Sequence, residues 1–326
     1  MLPPRARFLI GRATQVVPTL LLIAVANFVL LHLAPGDAAD VLAGESGAAT
    51  KEYVDGLRAK FRLDQPLVVQ LVVYVKNIVS LDLGYSFRQD SPVAALIGAR
   101  LGPTSLLMGT ALVLAVVLGV SIGIAAARRP NGWLDNIASI VSLTSYSTPM
   151  FWAGLMLIVL FSVTLGWLPT SGMETIAAFH TGWYRVFDIG QHLILPALTL
   201  SLFYMALFMR LTRAAMLEQA GMDYVTTARA KGLTERQITF RHVIRNAMLP
   251  VVTMIGVQAG SLVGGSVIVE TVFGWPGLGL LAFDSLFSRD LNLLLSIFFI
   301  SACLVVVVNL VVDVVYTLID PRIKLN

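Results

Sequence analysis

The chain has 326 residues, 57% of them hydrophobic and 13% charged. Long uncharged stretches need surroundings as apolar as themselves, so a soluble globule is excluded and the chain reads as an all-α integral membrane protein with lipid as a partner. The net charge of +4 fits the basic cytoplasmic loops of membrane proteins and gives no ground for a nucleic-acid partner.

Arg5, Arg7 and Arg12 lie ahead of an apolar run. The arrangement imitates a secretory signal but is read as a retained first span, 9–31. A helix crossing the hydrocarbon needs about 20 mostly apolar residues. The segments 104–127, 137–165, 193–209, 248–269 and 291–318 also qualify, giving six transmembrane helices. Pro149 and Pro196 fall inside spans and should bend them. Three regions are expected: an N-terminal segment with the first helix (1–34), an outer helical cap (35–103), and a core with five helices (104–326).

In the cap, Tyr53, Leu57 and Phe61 recur at helical spacing, as do Leu67, Leu71, Val75 and Ile78. The stretch 66–81 is apolar but short, and Gln70, Lys76 and Asn77 interrupt it. With Pro66 at a first turn it reads as a surface or amphipathic helix. Charge supports this. Six spans with both termini inside place Arg128, Arg129, the cluster Arg210, Arg213, Arg229, Lys231, Arg236, Arg241 and Arg245, and the tail residues Arg322 and Lys324 in the cytoplasm; a seventh span would expel the cluster, against the positive-inside rule.

No G-x-x-x-x-G-K-[ST] loop occurs, so nucleotide phosphates have no such cradle on this chain. Gly119-Val120-Ser121-Ile122-Gly123 matches a hydrolase elbow, which requires a strand and then a helix, but it lies within an apolar span. The four histidines show no ligand spacing, and Cys303 reads as a small buried hydrophobe. No catalytic, cofactor or metal site is expected.

The cytoplasmic loop 210–250 carries the pattern that bears on mechanism. Gly232 follows Arg229 and Lys231, as a helix C-terminus with a left-handed cap prefers. Thr234-Glu235-Arg236-Gln237 fits a capping box opening a second short helix. Pro250 is then expected in the first turn of the next span. On these residues alone, a basic anchor that merely fixes orientation explains the loop about as well as a working part does.

A resemblance favours the working part. Asp223-Tyr224, Ala228-Arg229-Ala230-Lys231-Gly232-Leu233, Arg241-His242, Arg245-Asn246-Ala247 and Leu249-Pro250 are similar to the coupling loop of ATP-binding-cassette importer permeases, in the dipeptide and oligopeptide (peptide/nickel) branch. Thr226-Thr227 stand where the general motif has Glu-Ala, and the interval from Gly232 to Leu249-Pro250 is longer; both features resemble this branch. Leu33-Ala34-Pro35-Gly36-Asp37, Leu63-Asp64-Gln65-Pro66, Asp82-Leu83-Gly84-Tyr85-Ser86, the run Val269-Glu270-Thr271-Val272-Phe273-Gly274-Trp275-Pro276-Gly277-Leu278-Gly279 and the ending from Asn309 to Arg322 extend the match over almost the whole chain.

The resemblance implies the type I importer permease fold, in its first-permease (B-type) form, in the bacterial inner membrane. It also implies a homologous second permease, two ATP-binding subunits that hold ATP and Mg, and an extracytoplasmic substrate-binding protein. Peptides are the expected substrates, with nickel chelates, glutathione or oligosaccharides as alternatives. A secondary transporter would favour ionisable residues at the membrane midplane, and these spans are almost free of them. Gly256, Gly260 and Gly264, with Ser261, recur along one side of the fifth span, where they either pack against another helix or line the path. Asp313, inside the last span, needs a partner, and an ion pair with an arginine of the basic loop is favoured over a proton relay. Glu270, at the outer end of the fifth span, is expected in solvent rather than against a docked binding protein.

Overall fold

The computed structural model describes residues 4–33, 50–60, 64–86 and 88–319. The chain divides into two compact units. One contains the described residues up to Arg100 together with Leu281–Val306; the other contains Leu101–Leu280 and the described residues from Val307 onward.

In the first unit lie α1 (Pro4–Leu33), α2 (Lys51–Lys60) and α3 (Leu67–Val79). A two-rung antiparallel ladder follows, β1 (Tyr85–Ser86) with β2 (Ser91–Pro92), Tyr85 opposite Pro92 and Ser86 opposite Ser91. It leads into α4 (Val93–Ala127), which starts well before the predicted 104 and carries Pro103 within it. The first half of α12 (Leu291–Ile319) belongs here too. Asp290 stands at its head: Oδ1 accepts the Leu293 N–H at 3.1 Å and Oδ2 accepts the Ser86 hydroxyl. Asn292 Nδ2 donates to the Leu83 carbonyl at 3.2 Å.

The second unit contains α5 (Trp133–Ser147), α6 (Met150–Leu157) and a π-helical turn, Ile158–Thr164. The predicted single span 137–165 is in fact this bent pair, whose helices diverge by 109°. Proline disfavours helical backbone in the residue before it, and Thr148 is extended (φ −88°, ψ 127°), its N–H still bonded to the Thr144 carbonyl at 3.0 Å. Pro196, by contrast, leaves α7 (Trp183–Ala220) unbroken over 38 residues.

Helix α4 meets α7 backbone to backbone. A Cβ on Gly119 would lie 2.7 Å from the Met205 carbonyl oxygen, and one on Gly123 the same distance from that of Met209. The stretch that imitates a hydrolase elbow is thus a pair of glycines four residues apart that let two helices touch.

Beyond α7 come α8 (Asp223–Ala230), α9 (Glu235–Ile238), a π-helical turn (Thr239–Val243), α10 (Ile244–Phe273) and α11 (Leu278–Phe287). Glu270 is not in solvent; it is fully buried. Its carboxylate accepts the Thr104 hydroxyl at 2.8 Å and the N–H groups of Gly279 and Leu280 at 2.6 and 3.1 Å. It therefore caps α11, where free N–H groups and the positive dipole end favour an anion. The motif around it serves the same joint: Trp275 Nε1 donates to the Pro103 carbonyl at 2.9 Å.

Among the described residues four helical runs are long and apolar enough to cross a membrane: Val93–Ala127, Trp183–Ala220, Glu235–Phe273 and Leu291–Val312. The bent pair makes a fifth. The remaining predicted span falls on α1, 30 residues long, with Thr14–Leu30 as its described apolar stretch.

Candidate coupling site

The site begins at the far end of α7, which continues past the predicted span to Ala220. There Arg213 forms a two-pronged ion pair with Asp135 at the start of α5. Its Nη2 lies 2.8 Å from Oδ2 and its Nε donates to Oδ1, while the Asn131 N–H reaches Oδ2 at 2.9 Å. Asp135 is almost completely buried. A fork-to-fork pair of this kind fixes orientation as well as charge. Arg213 of the basic loop thus clamps Asp135, a pair separate from the one expected for Asp313. The side chain of Asp313 lies outside those described.

Helix α8 then buries Val225 and Ala228 and leaves Arg229 and Lys231 exposed. The Tyr224 hydroxyl donates to Gln219 Oε1 at 2.9 Å, tying α8 to the end of α7. Asp223 sits in the first turn, where its charge suits the helix dipole, and its carbonyl accepts the Thr227 hydroxyl at 3.0 Å.

Gly232 stops this helix at φ +79°. Its N–H reaches the Arg229 carbonyl at 2.9 Å and the Leu233 N–H reaches that of Ala228 at 3.3 Å, the paired bonds of a Schellman cap. Thr234 and Gln237 form the expected box, with Gln237 Oε1 accepting the Thr234 N–H at 3.0 Å and Thr234 Oγ1 accepting the Gln237 N–H at 3.4 Å. Arg229 bridges the turn to Glu235, at 2.7 and 3.3 Å. Both partners are exposed, so the pair contributes little energy. It does link α8 to α9 across the glycine.

Ile238, only 1% exposed, is the peg that fastens α9. It enters a cluster of Ala215 and Met216 from α7, Val225 and Ala228 from α8, and Val243 and Ala247 beyond it. The short helix is therefore packed against α7 rather than suspended in solvent. Arg236 of α9, Phe240 and Arg241 of the π-helical turn, and Arg245 and Asn246 at the start of α10 are exposed, Phe240 by 56%; His242 is half-buried. Sequence reasoning missed Phe240 and the Arg229–Glu235 bridge. The signal for Phe240 was a large aromatic in an otherwise polar stretch.

Pro250 does not open a new span. It sits inside α10, which is continuous with α9 through the π-helical turn, so the first-turn expectation fails. The glycine stripe divides. A Cβ on Gly256 would come within 2.8 Å of Val312 Cγ1, whereas one on Gly264 would meet nothing within 4 Å. Gly260 is half-buried and Ser261 exposed.

Two family models divide most of the chain between them: binding-protein-dependent transport system inner membrane component over residues 119–325, and the N-terminal part of such a membrane component over 5–108. The chain is 42% identical to a putative peptide permease protein of Brucella suis, with 98% of each chain covered. It is 41% identical to the oligopeptide transport system permease protein AppB of Bacillus subtilis (98% of this chain, 99% of the relative). It is also 41% identical to the glutathione transport system permease protein GsiC of Escherichia coli (97% and 98%). Among solved structures, an inward-facing MetNI methionine transporter matches with a TM-score of 0.55 at 17% identity, over 70% of this chain and 98% of that one; this likeness speaks for the fold.

Proposed function

Since the chain belongs to the family of binding-protein-dependent transport system inner membrane components, we propose that it forms half of a translocation path for short peptides, coupled to ATP hydrolysis through α8 and α9. As an importer permease it is a multi-pass inner-membrane protein that works with ATPase and substrate-binding partners, and hydrolysis belongs to separate subunits. Beyond that frame, a homologous second permease completes the path, two ATPases holding ATP and Mg lie beneath, and both termini are cytoplasmic. The peptide assignment is supported by relatives named for peptides, oligopeptides and glutathione. Glutathione is itself a tripeptide.

The observation that carries the coupling role is the Gly232 turn. Its caps and the Ile238 peg hold α9 in one pose, with Phe240 and the arginines presented outward. A loop serving only to retain charge in the cytoplasm has no need of such ordering, because the positive-inside effect depends on composition. Gly264 and Ser261 face open space and are assigned to the path, and Gly256 to packing.

The chain reconstituted alone should neither bind nor hydrolyse ATP, whereas the complete importer should show ATP-dependent dipeptide or glutathione uptake. ATP turnover by the isolated chain would refute the division of labour. In a Cys303→Ser background, cysteine at Glu235 should react with an impermeant thiol reagent only from inside, and cysteine at Lys51 or Glu174 only from outside. External labelling at Glu235 would overturn the orientation.

A further inference from the structure

Helix α3 runs down the side of α1 in a simple antiparallel register. Gln70 Oε1 meets His32 Nε2 at 3.1 Å, the Tyr74 ring lies 5.8 Å from that of Phe28, and Ile78 shares a buried cluster with Ala24. Each step of four residues along α3 matches a step of four back along α1. From His32 to Ala24 is eight residues, a descent of about 12 Å at 1.5 Å per residue.

Helix α12 supplies an independent ruler. Ile78 packs in the same cluster with Phe299, nine residues beyond Asp290 at the head of that helix, a depth of about 13 Å. The chain then climbs back. The Asn292 side chain bonds the Leu83 carbonyl, and the Ser86 hydroxyl bonds Asp290 at the head of α12. The Asp82 N–H bonds the Asn77 carbonyl at 2.9 Å, so the return starts at Asp82, and the four residues from there to Ser86 reach about 13 Å when extended.

We propose that α3 is a re-entrant half-span that descends nearly to the middle of a hydrocarbon layer about 30 Å thick, and that outer-leaflet acyl chains cover its exposed apolar stripe. That stripe is Val68, Val72 and Val79, one helical side at four- and seven-residue spacing, with Leu81 at the tip; Val79 and Leu81 are 75% and 65% exposed. It is continuous in depth with exposed apolar residues of α1, among them Leu22 and Val29. At the tip the Ser80, Leu81 and Asp82 N–H groups bond to the Lys76, Ile78 and Asn77 carbonyls at 2.9–3.0 Å, as backbone in a medium without water requires. Lys76, Asn77 and Ser80 project from the other exposed flank, and the long Lys76 stem lets its charge rise toward the headgroups. A stretch too short to span is long enough to go halfway. The depth rests on α1 and α12 being membrane helices; only the choice of leaflet rests on the orientation proposed above.

The test is site-directed spin labelling of the complete importer in phosphatidylcholine/phosphatidylglycerol nanodiscs, with single cysteines at Val68, Val72 and Val79 in Cys303→Ser. Labels at Leu22 and Glu174 give the hydrocarbon and water references. Collision with molecular oxygen should rise, and collision with nickel-EDDA fall, from Val68 to Val79, with Val79 approaching Leu22. Nickel-EDDA access at Val79 equal to that at Glu174 would place the helix in water and overturn the proposal. Low collision with both reagents would also overturn it, by showing a protein surface such as a second permease on the stripe. Neither result bears on the coupling reading, and failed labelling of Glu235 from inside would leave the depth profile intact.

Discussion

Replacing Gly232 by valine should leave the chain expressed and inserted at normal levels while reducing ATP-driven uptake by about tenfold or more. The site has space: nothing lies within 4 Å of a Cβ built there. The cost is therefore in the backbone, since at φ +79° an L side chain is disfavoured by about 1–2 kcal/mol, more for a β-branched one. A penalty of about 1.4 kcal/mol is a factor of ten in an equilibrium. Relaxing the strain would break the Schellman bonds to Arg229 and Ala228 and re-aim α9. Gly232→Asn should recover much of the activity, because asparagine tolerates the left-handed region, and Gly232→Ala should fall between. Co-purification of the ATPase subunits separates failed docking from failed insertion. Wild-type assembly and uptake in Gly232→Val would show that the loop is a topological anchor only.

Glu270→Ala should be the most damaging change to the fold. It leaves the Thr104 hydroxyl and the N–H groups of Gly279 and Leu280 without their buried acceptor. Each such orphan costs about 1–3 kcal/mol. The space is tailored to this side chain: a Cβ on Gly277 would overlap the carboxylate, and one on Gly279 would lie 2.8 Å from Oε2. Glu270→Gln, which keeps the shape but turns an acceptor into a donor, should lose less. The measurement is the temperature at which detergent-solubilised, fluorescently tagged protein ceases to elute as a single peak. It should fall by several degrees for alanine and by a smaller margin for glutamine. An unchanged value for Glu270→Ala would show that the carboxylate is not the cap of α11.

The turn at Gly232 and the capping box were legible in sequence because both are local: a glycine after cations and a Thr-x-x-Gln need no distant partner to be recognised. Glu270 was misread because its partners lie in sequence at Thr104 and Gly279, and a carboxylate at a span end looks solvated until the second helix N-terminus is placed beside it. Asp135 and Arg213, 78 residues apart, were likewise invisible as a pair. Pro149 was recognised as a bend, but its 109° consequence depends on Thr148 leaving the helix. In sequence the Gly119/Gly123 spacing reads only as an imitation of a hydrolase elbow, since it is α7, lying against it, that gives those glycines a purpose.

The helical run from Glu235 to Phe273 counts 39 residues, about 58 Å in length, nearly twice the thickness of the hydrocarbon. Such a rod is a lever with its fulcrum in the membrane: a sideways push on the Phe240 end swings the Glu270 end the opposite way. On the transport role proposed above, opening on one side and closing on the other would follow from a single tilt, with no signal relayed between separate parts. The π-helical turn Thr239–Val243, close to the driven end, is where such a lever would flex. On the coupling role proposed above, its stiffness would set how much of a push at Phe240 is carried to Glu270.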